Sequence, residues 1–127
     1  MAKRNFFYSK SGSAKTVRKN CFWTEVNGNK YLVSYQTVVC VISASGYLHK
    51  FWNDYSVTTM NQINAFMSLF HGAFNINTGE WFCGFNKKEW LEYETEKPIY
   101  DDIQEIRPLI PYIEYNDRND YVRKIVY

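Results

Sequence analysis

The sequence predicts an α+β domain, a mostly antiparallel β-sheet packed on one principal helix at about residues 58–71, with a second, shorter helix at about 87–95. Three observations carry that expectation. Ile63, Phe66, Met67 and Phe70 recur at the spacing that lines one face of a helix. Asn27-Gly28 stands between two strand-like runs, and that dipeptide tolerates the positive φ that both central positions of a tight hairpin require. Short runs rich in β-branched and aromatic residues, punctuated by Gly, occupy most of the remaining chain up to residue 85.

Taken in order, Phe6-Phe7-Tyr8 reads as an edge strand followed by a Ser/Gly loop. Residues 21–26 and 31–35 flank the Asn27-Gly28 turn as antiparallel strands. Thr37 to Ile42 is apolar nearly throughout, which fits a central strand covered on both faces. Ser45-Gly46 turns the chain into a strand from Tyr47 to Trp52, with Leu48 inward and Lys50 snorkelling at an edge. In the principal helix Thr59 and Gln62 have capping-box spacing, and Gly72 supplies a left-handed stop. Tyr35 and Tyr55 are expected against the start of that helix, with Ser56, Thr58 and Thr59 as capping oxygens. Asn77-Thr78-Gly79 joins a second hairpin. Asn86 with Glu89 opens the second helix, which places Trp90 and Leu91 inward and ends before Pro98. Asp101 to Ile106 makes one helical turn, and residues 112–127 form a last hairpin or helix.

The 127 residues suit a single domain able to bury a core. Aromatics are 19% of the chain, too many for a disordered one. Three Cys at 21, 40 and 83, with no Cys-x-x-Cys spacing, read as reduced thiols, Cys40 and Cys83 serving as small core residues. No apolar run approaches a membrane span and no signal peptide is evident, so a cytoplasmic protein is expected. The net charge of +2 conceals a segregation. Residues 1–19 carry six Lys/Arg and no acid, whereas residues 92–127 carry nine Asp/Glu against five Lys/Arg.

Catalytic signatures are weak. The C-terminal carboxylates resemble a divalent-metal cluster in type, yet Glu92, Glu94 and Glu96 alternate along the chain and do not share a helical face. Cys83 lies in an apolar run where burial deadens a thiol, and His71 is explained by its place at a helix end. No cofactor and no metal are expected. Tyr47, His49, Lys50, Phe51 and Trp52 interleave rings with cations in the manner of single-strand binders, although a plain strand explains them too.

Ser34-Tyr35-Gln36-Thr37 and Tyr55-Ser56-Val57-Thr58-Thr59, followed directly by a helix bearing Ile63 and Phe66, resemble the motifs of a family of small proteins carried by phages and mobile elements of Gram-positive bacteria. The likeness spans roughly Tyr31 to Phe70. Members of that family often place a His on the first helical turn. This chain has Asn61 and Gln62 there, so no catalytic role carries over. The resemblance implies a phage setting inside a bacterial host, where small proteins without catalytic signatures commonly bind and block host proteins, including CRISPR nucleases.

The expected function is that of a non-enzymatic, anti-CRISPR-like binding protein. Its partner-binding residues would be Tyr100, Asp101, Asp102, Glu105 and Glu114, set against a host protein with a basic surface. The rival is a nucleic-acid-binding accessory protein using Lys3, Arg4, Lys10, Lys15, Arg18 and Lys19. A small metal-dependent nuclease is the third reading. A homodimer through a sheet edge is compatible with each.

Overall fold

The computed structural model describes residues 2–7 and 21–110. Glu114, Lys10, Lys15, Arg18, Lys19 and the expected hairpin or helix at 112–127 lie outside the described residues. Among the described residues six strands form one sheet whose spatial order is their order along the chain. These are β1 (Cys21–Val26), β2 (Asn29–Ser34), β3 (Thr37–Ile42), β4 (Tyr47–Lys50), β5 (Ala73–Asn75) and β6 (Trp81–Phe82). All neighbours are antiparallel except β4 and β5, which run parallel. A parallel pair needs a crossover, and helix α1 (Val57–Leu69) supplies it. The mixed α+β architecture predicted from the sequence is therefore the observed one, completed by α2 (Lys87–Glu92) and α3 (Tyr100–Ile106).

The first hairpin turns at Asn27 and Gly28, with φ of 54° and 83°, as a two-residue left-handed turn requires. Between β2 and β3 the register slips. Val33 faces Val38 while Leu32 faces Cys40, so Val39 is the extra residue of a bulge. Apart from that bulge, side chains alternate between two separate cores. Leu32, Cys40, Ile42 and Leu48 meet Ile63, Phe66 and Met67 of α1 and Trp90 of α2. Phe22, Tyr31, Val33, Val38 and Val41 meet Ile103 and Ile106 of α3 on the opposite face. The sheet thus packs on two helical layers, and the short segment at 101–106 is the cover for a whole face.

Helix α1 begins at Val57 and is capped by Ser56, one of the expected capping oxygens, and not by a Thr59–Gln62 capping box. The Ser56 Oγ accepts from the Thr59 N–H at 3.0 Å and donates to the Thr59 Oγ1 at 2.9 Å. Thr59 and Gln62 are not a capping box; both are buried, and the Gln62 Oε1 accepts from the Ser34 Oγ at 2.6 Å. Tyr35 does not pack on this helix. It occupies the turn between β2 and β3 with φ of 56°, which leaves its ring 52% exposed. Helix α1 ends at Leu69, and the Gly72 N–H closes the last turn on the Met67 carbonyl at 2.8 Å.

Helix α2 has the expected capping box, with the Asn86 Oδ1 accepting from the Glu89 N–H at 2.8 Å and the Glu89 Oε1 accepting from the Asn86 N–H at 2.9 Å. It stops at Glu92 rather than near Thr95. Trp90 is buried, but Leu91 points to solvent, because adjacent helical residues lie about 100° apart around the axis and so short a helix buries only one stripe. Lys50, expected at an edge, has no exposed surface. Its ammonium donates to the carbonyls of Trp90 at 2.6 Å and Tyr93 at 3.0 Å and to the Asn53 Oδ1 at 3.2 Å. The two carbonyls belong to the C-terminal end of α2, where that of Trp90 also accepts from the Tyr93 N–H at 3.2 Å, so the ammonium is hydrogen-bonded locally although burial lowers the Lys50 pKa. Cys21 and Cys40 are buried, and burial pushes both thiols up. Cys83 is exposed, not a core residue, since the two-residue β6 ends before it.

Gly72 combines a φ of 100° with close approach of β6. A Cβ there would stand 2.6 Å from both the Phe82 carbonyl oxygen and the Trp81 indole nitrogen. The Gly72→Ala variant is expected to lose about 2 kcal/mol of stability, read as a lower midpoint in urea unfolding with an unchanged slope.

Candidate functional site

Helix α3 divides its own residues between sheet and solvent. Asp102, Ile103 and Ile106 face inward, while Tyr100, Asp101 and Glu105 are exposed. Asp102 therefore leaves the predicted partner surface, being only 1% exposed. Its Oδ1 accepts from the Asn27 Nδ2 at 2.9 Å, and its Oδ2 accepts from the Asn29 Nδ2 at 3.0 Å and from the Tyr31 hydroxyl. A buried carboxylate is tolerable only when such donors surround it. The result is a polar staple between α3 and the first hairpin. Burial, then the hydrogen bond to Asp102 and its negative charge, push the Tyr31 pKa well above the ordinary tyrosine range.

Helix α3 packs on residues of β1 to β3, and among the described residues no helix packs on the same face of β4 to β6. Tyr47 on β4, Phe74 on β5 and Trp81 on β6 stand in register across the three strands. Ring centroids are 5.4 Å apart for Tyr47 and Phe74 and 4.8 Å for Phe74 and Trp81. Trp81 is 52% exposed, and its indole N–H donates to the His71 carbonyl at 3.0 Å, which holds the ring in place. His49, two residues along β4 from Tyr47, carries its Nδ1 2.8 Å from the Glu96 Oε2. A cavity of about 190 Å³ opens beside this pair, with Tyr31, Phe51 and Ile99 among its walls. Ile99 and Tyr100, the latter 70% exposed, extend the apolar surface to the start of α3.

Of the residues predicted to bind a partner, Tyr100, Asp101 and Glu105 thus share one exposed stretch. Of the rival set, Lys3 and Arg4 are both exposed, and Arg4 also makes contacts within the chain: its Nε donates to the Leu109 carbonyl at 2.6 Å and its guanidinium lies 6.0 Å from the Phe22 ring centre. The interleaved segment 47–52 does not act as one stacking surface, because Lys50 and Phe51 are buried and Tyr47 and His49 share the open face. The row Tyr47, Phe74, Trp81 escaped the sequence reading. Alternation could place Tyr47 and His49 on one face, but which strands lie beside β4 is decided by the parallel pairing that α1 makes possible. Of the motif residues, Ser34 turns inward and donates to Gln62, which joins the hairpin to α1, while Ser56 and Thr59 bond to each other in the cap of that helix. Among the described residues no group of His, Cys, Asp or Glu is arranged to hold a metal ion, and no helix is long and apolar enough to cross a membrane.

Two stability predictions follow from the staple. Replacement Asp102→Ala strands two amides and a hydroxyl and is expected to cost about 3 kcal/mol in chemical denaturation, with Glu105→Gln leaving the midpoint unchanged. The second concerns alkali. The fold favours the neutral forms of Tyr31 and of Tyr93, the latter pushed up to about 12, chiefly by burial. Their contribution is whole below the ordinary tyrosine value of 10.0 and is lost as pH rises from there toward 12. Tyrosinate absorbance followed with near-ultraviolet circular dichroism should show ionisation of these two rings coinciding with loss of tertiary structure.

Residues 1–84 match a family of unknown function (DUF8033), and on that span the chain belongs to it. The matched span contains all six strands and α1, while α2 and α3 lie beyond it. No curated protein and no solved structure matches the chain.

Proposed function

We propose that this member of the family is a non-enzymatic binding protein that docks on another protein through the open half of its sheet. The observation that carries the reading is the row Tyr47, Phe74 and Trp81, held by cross-strand packing and by the indole hydrogen bond, with Tyr47 and Trp81 exposed and Phe74 between them half-buried. Such rings lose little side-chain entropy on binding and are the residue types that dominate interface energetics. Tyr100 and Ile99 continue the apolar surface, and Asp101 and Glu105 add negative charge on α3. The partner is accordingly a protein with a basic surface. Charge of this kind steers encounter and rejects acidic competitors more than it adds affinity.

The phage setting and the action on a host defence protein, such as a CRISPR effector, rest on the resemblance of the 34–37 and 55–59 motifs alone. A bacterial cytoplasm is the compartment that goes with them. The test is affinity capture from nuclease-treated host lysate with the tagged protein and with Trp81→Ala and Tyr100→Ala variants shown to fold. One host protein should be retained by the parent chain, and each variant should weaken its binding on the order of 30-fold or more. Recovery of nucleic acid alone, disappearing with salt, would instead favour the basic N-terminal segment.

A further inference from the structure

The second hairpin and α2 enclose a cavity of about 240 Å³, away from the open sheet face, whose lining is chemically one-sided. Its apolar lining is the half-buried Phe82 with Phe85 and Tyr93, both largely buried. Phe85 meets Phe82 edge-on at 4.9 Å between centroids and Tyr93 at 5.1 Å. Glu89 and Glu92 stand on the other side, three residues apart on α2 and hence on one helical face. Among the described residues no Lys or Arg lines the cavity. Among the described residues Glu92 makes no ion pair, and Lys88, one turn earlier, does not neutralise it. Glu89 spends its Oε1 on the Asn86 N–H, which leaves its other oxygen for a ligand. The Asn77 side chain adds a polar group at the same cavity.

The walls are fixed before any ligand arrives. Asn64 clamps the loop after β6 by donating from Nδ2 to the Phe85 carbonyl at 3.0 Å and accepting from the Phe85 N–H at 2.8 Å. Gly84 permits that approach, since a Cβ there would lie 3.1 Å from the Asn64 Oδ1. The Tyr93 hydroxyl donates to the Leu48 carbonyl at 2.7 Å and accepts from the Ile76 N–H at 2.9 Å, so the ring presents only carbon to the cavity.

A flat cation on an apolar stem satisfies both sides of such a site. We infer that the cavity receives an arginine side chain of the partner protein, its methylenes and guanidinium plane against Phe82, Phe85 and Tyr93 and its N–H groups toward the carboxylates of Glu89 and Glu92. Arginine is favoured over lysine because its planar fork both stacks on rings and meets two carboxylates. The inference rests on the proposed binding role and specifies which group of a basic partner is read.

It is tested without the partner. Isotope-labelled protein is titrated with N-acetyl-arginine amide and, separately, with the neutral isostere N-acetyl-citrulline amide, and backbone NMR shifts are followed. Saturable shifts confined to Asn77, Gly84, Glu92 and Tyr93 are expected with the arginine compound and not with citrulline. Glu92→Gln, an exposed change that leaves the capping box intact, should weaken the response about tenfold. Equal response to citrulline, no response at tens of millimolar probe, or an unaffected Glu92→Gln would overturn the inference. Those failures would leave the capture by Trp81 and Tyr100 standing, and loss of that capture would leave the arginine titration unchanged.

Discussion

A central strand that is apolar on both sides obliges the rest of the molecule to cover the sheet twice. Val38 and Val41 point one way from β3, and Val39, Cys40 and Ile42 point the other. One helix cannot serve both faces. Helix α1, reached by the crossover from β4 to β5, fills the first, and the seven-residue α3 must fill the second with only Ile103 and Ile106 as large apolar side chains. Asp102 makes that short cover sufficient. Its three hydrogen bonds to the first hairpin hold α3 in place with directional contacts where apolar area is scarce.

The extent of that cover determines what remains exposed. Helix α3 packs with residues of β1 to β3 and Phe51, so among the described residues the outward side chains of β4 to β6 have no helix over them. Three of these are aromatic and lie in one cross-strand row. A structural necessity on one half of the sheet and a binding opportunity on the other therefore have the same origin. The acidic character of α3 divides in the same way, with Asp102 spent on anchoring and Asp101 and Glu105 left for solvent.

Buried polar groups follow a consistent rule throughout. Lys50 sits where carbonyls at the end of α2 can accept, Gln62 where Ser34 can donate, and Asp102 where three donors converge. Each joins elements distant in sequence, so each contributes to fixing one arrangement as well as to stability. Thr24 is the exception among the described residues, its buried hydroxyl lacking a partner, and nothing in its surroundings explains it.

Most of the architecture was legible in the chain itself. The helix periodicity, the Asn27-Gly28 turn, the Asn86 capping box and the apolar β3 run all rest on interactions within a few residues, which local sequence determines by itself. What escaped it was set by partners far away. Gln62 forms no capping box with Thr59 and instead bonds to Ser34, twenty-eight positions earlier. The burial of Lys50 depends on where α2 ends, the exposure of Cys83 on the shortness of β6, and the loss of Asp102 from the surface on a hairpin more than seventy positions earlier. The candidate site belongs wholly to this second class. Tyr100, Asp101 and Glu105 were recognisable as a sticky acidic stretch, but a row formed by Tyr47, Phe74 and Trp81 exists only once three strands lie side by side. Local sequence determines which residues turn, cap and alternate; only the tertiary structure decides which strands become neighbours, because that choice depends on how two helices cover one sheet.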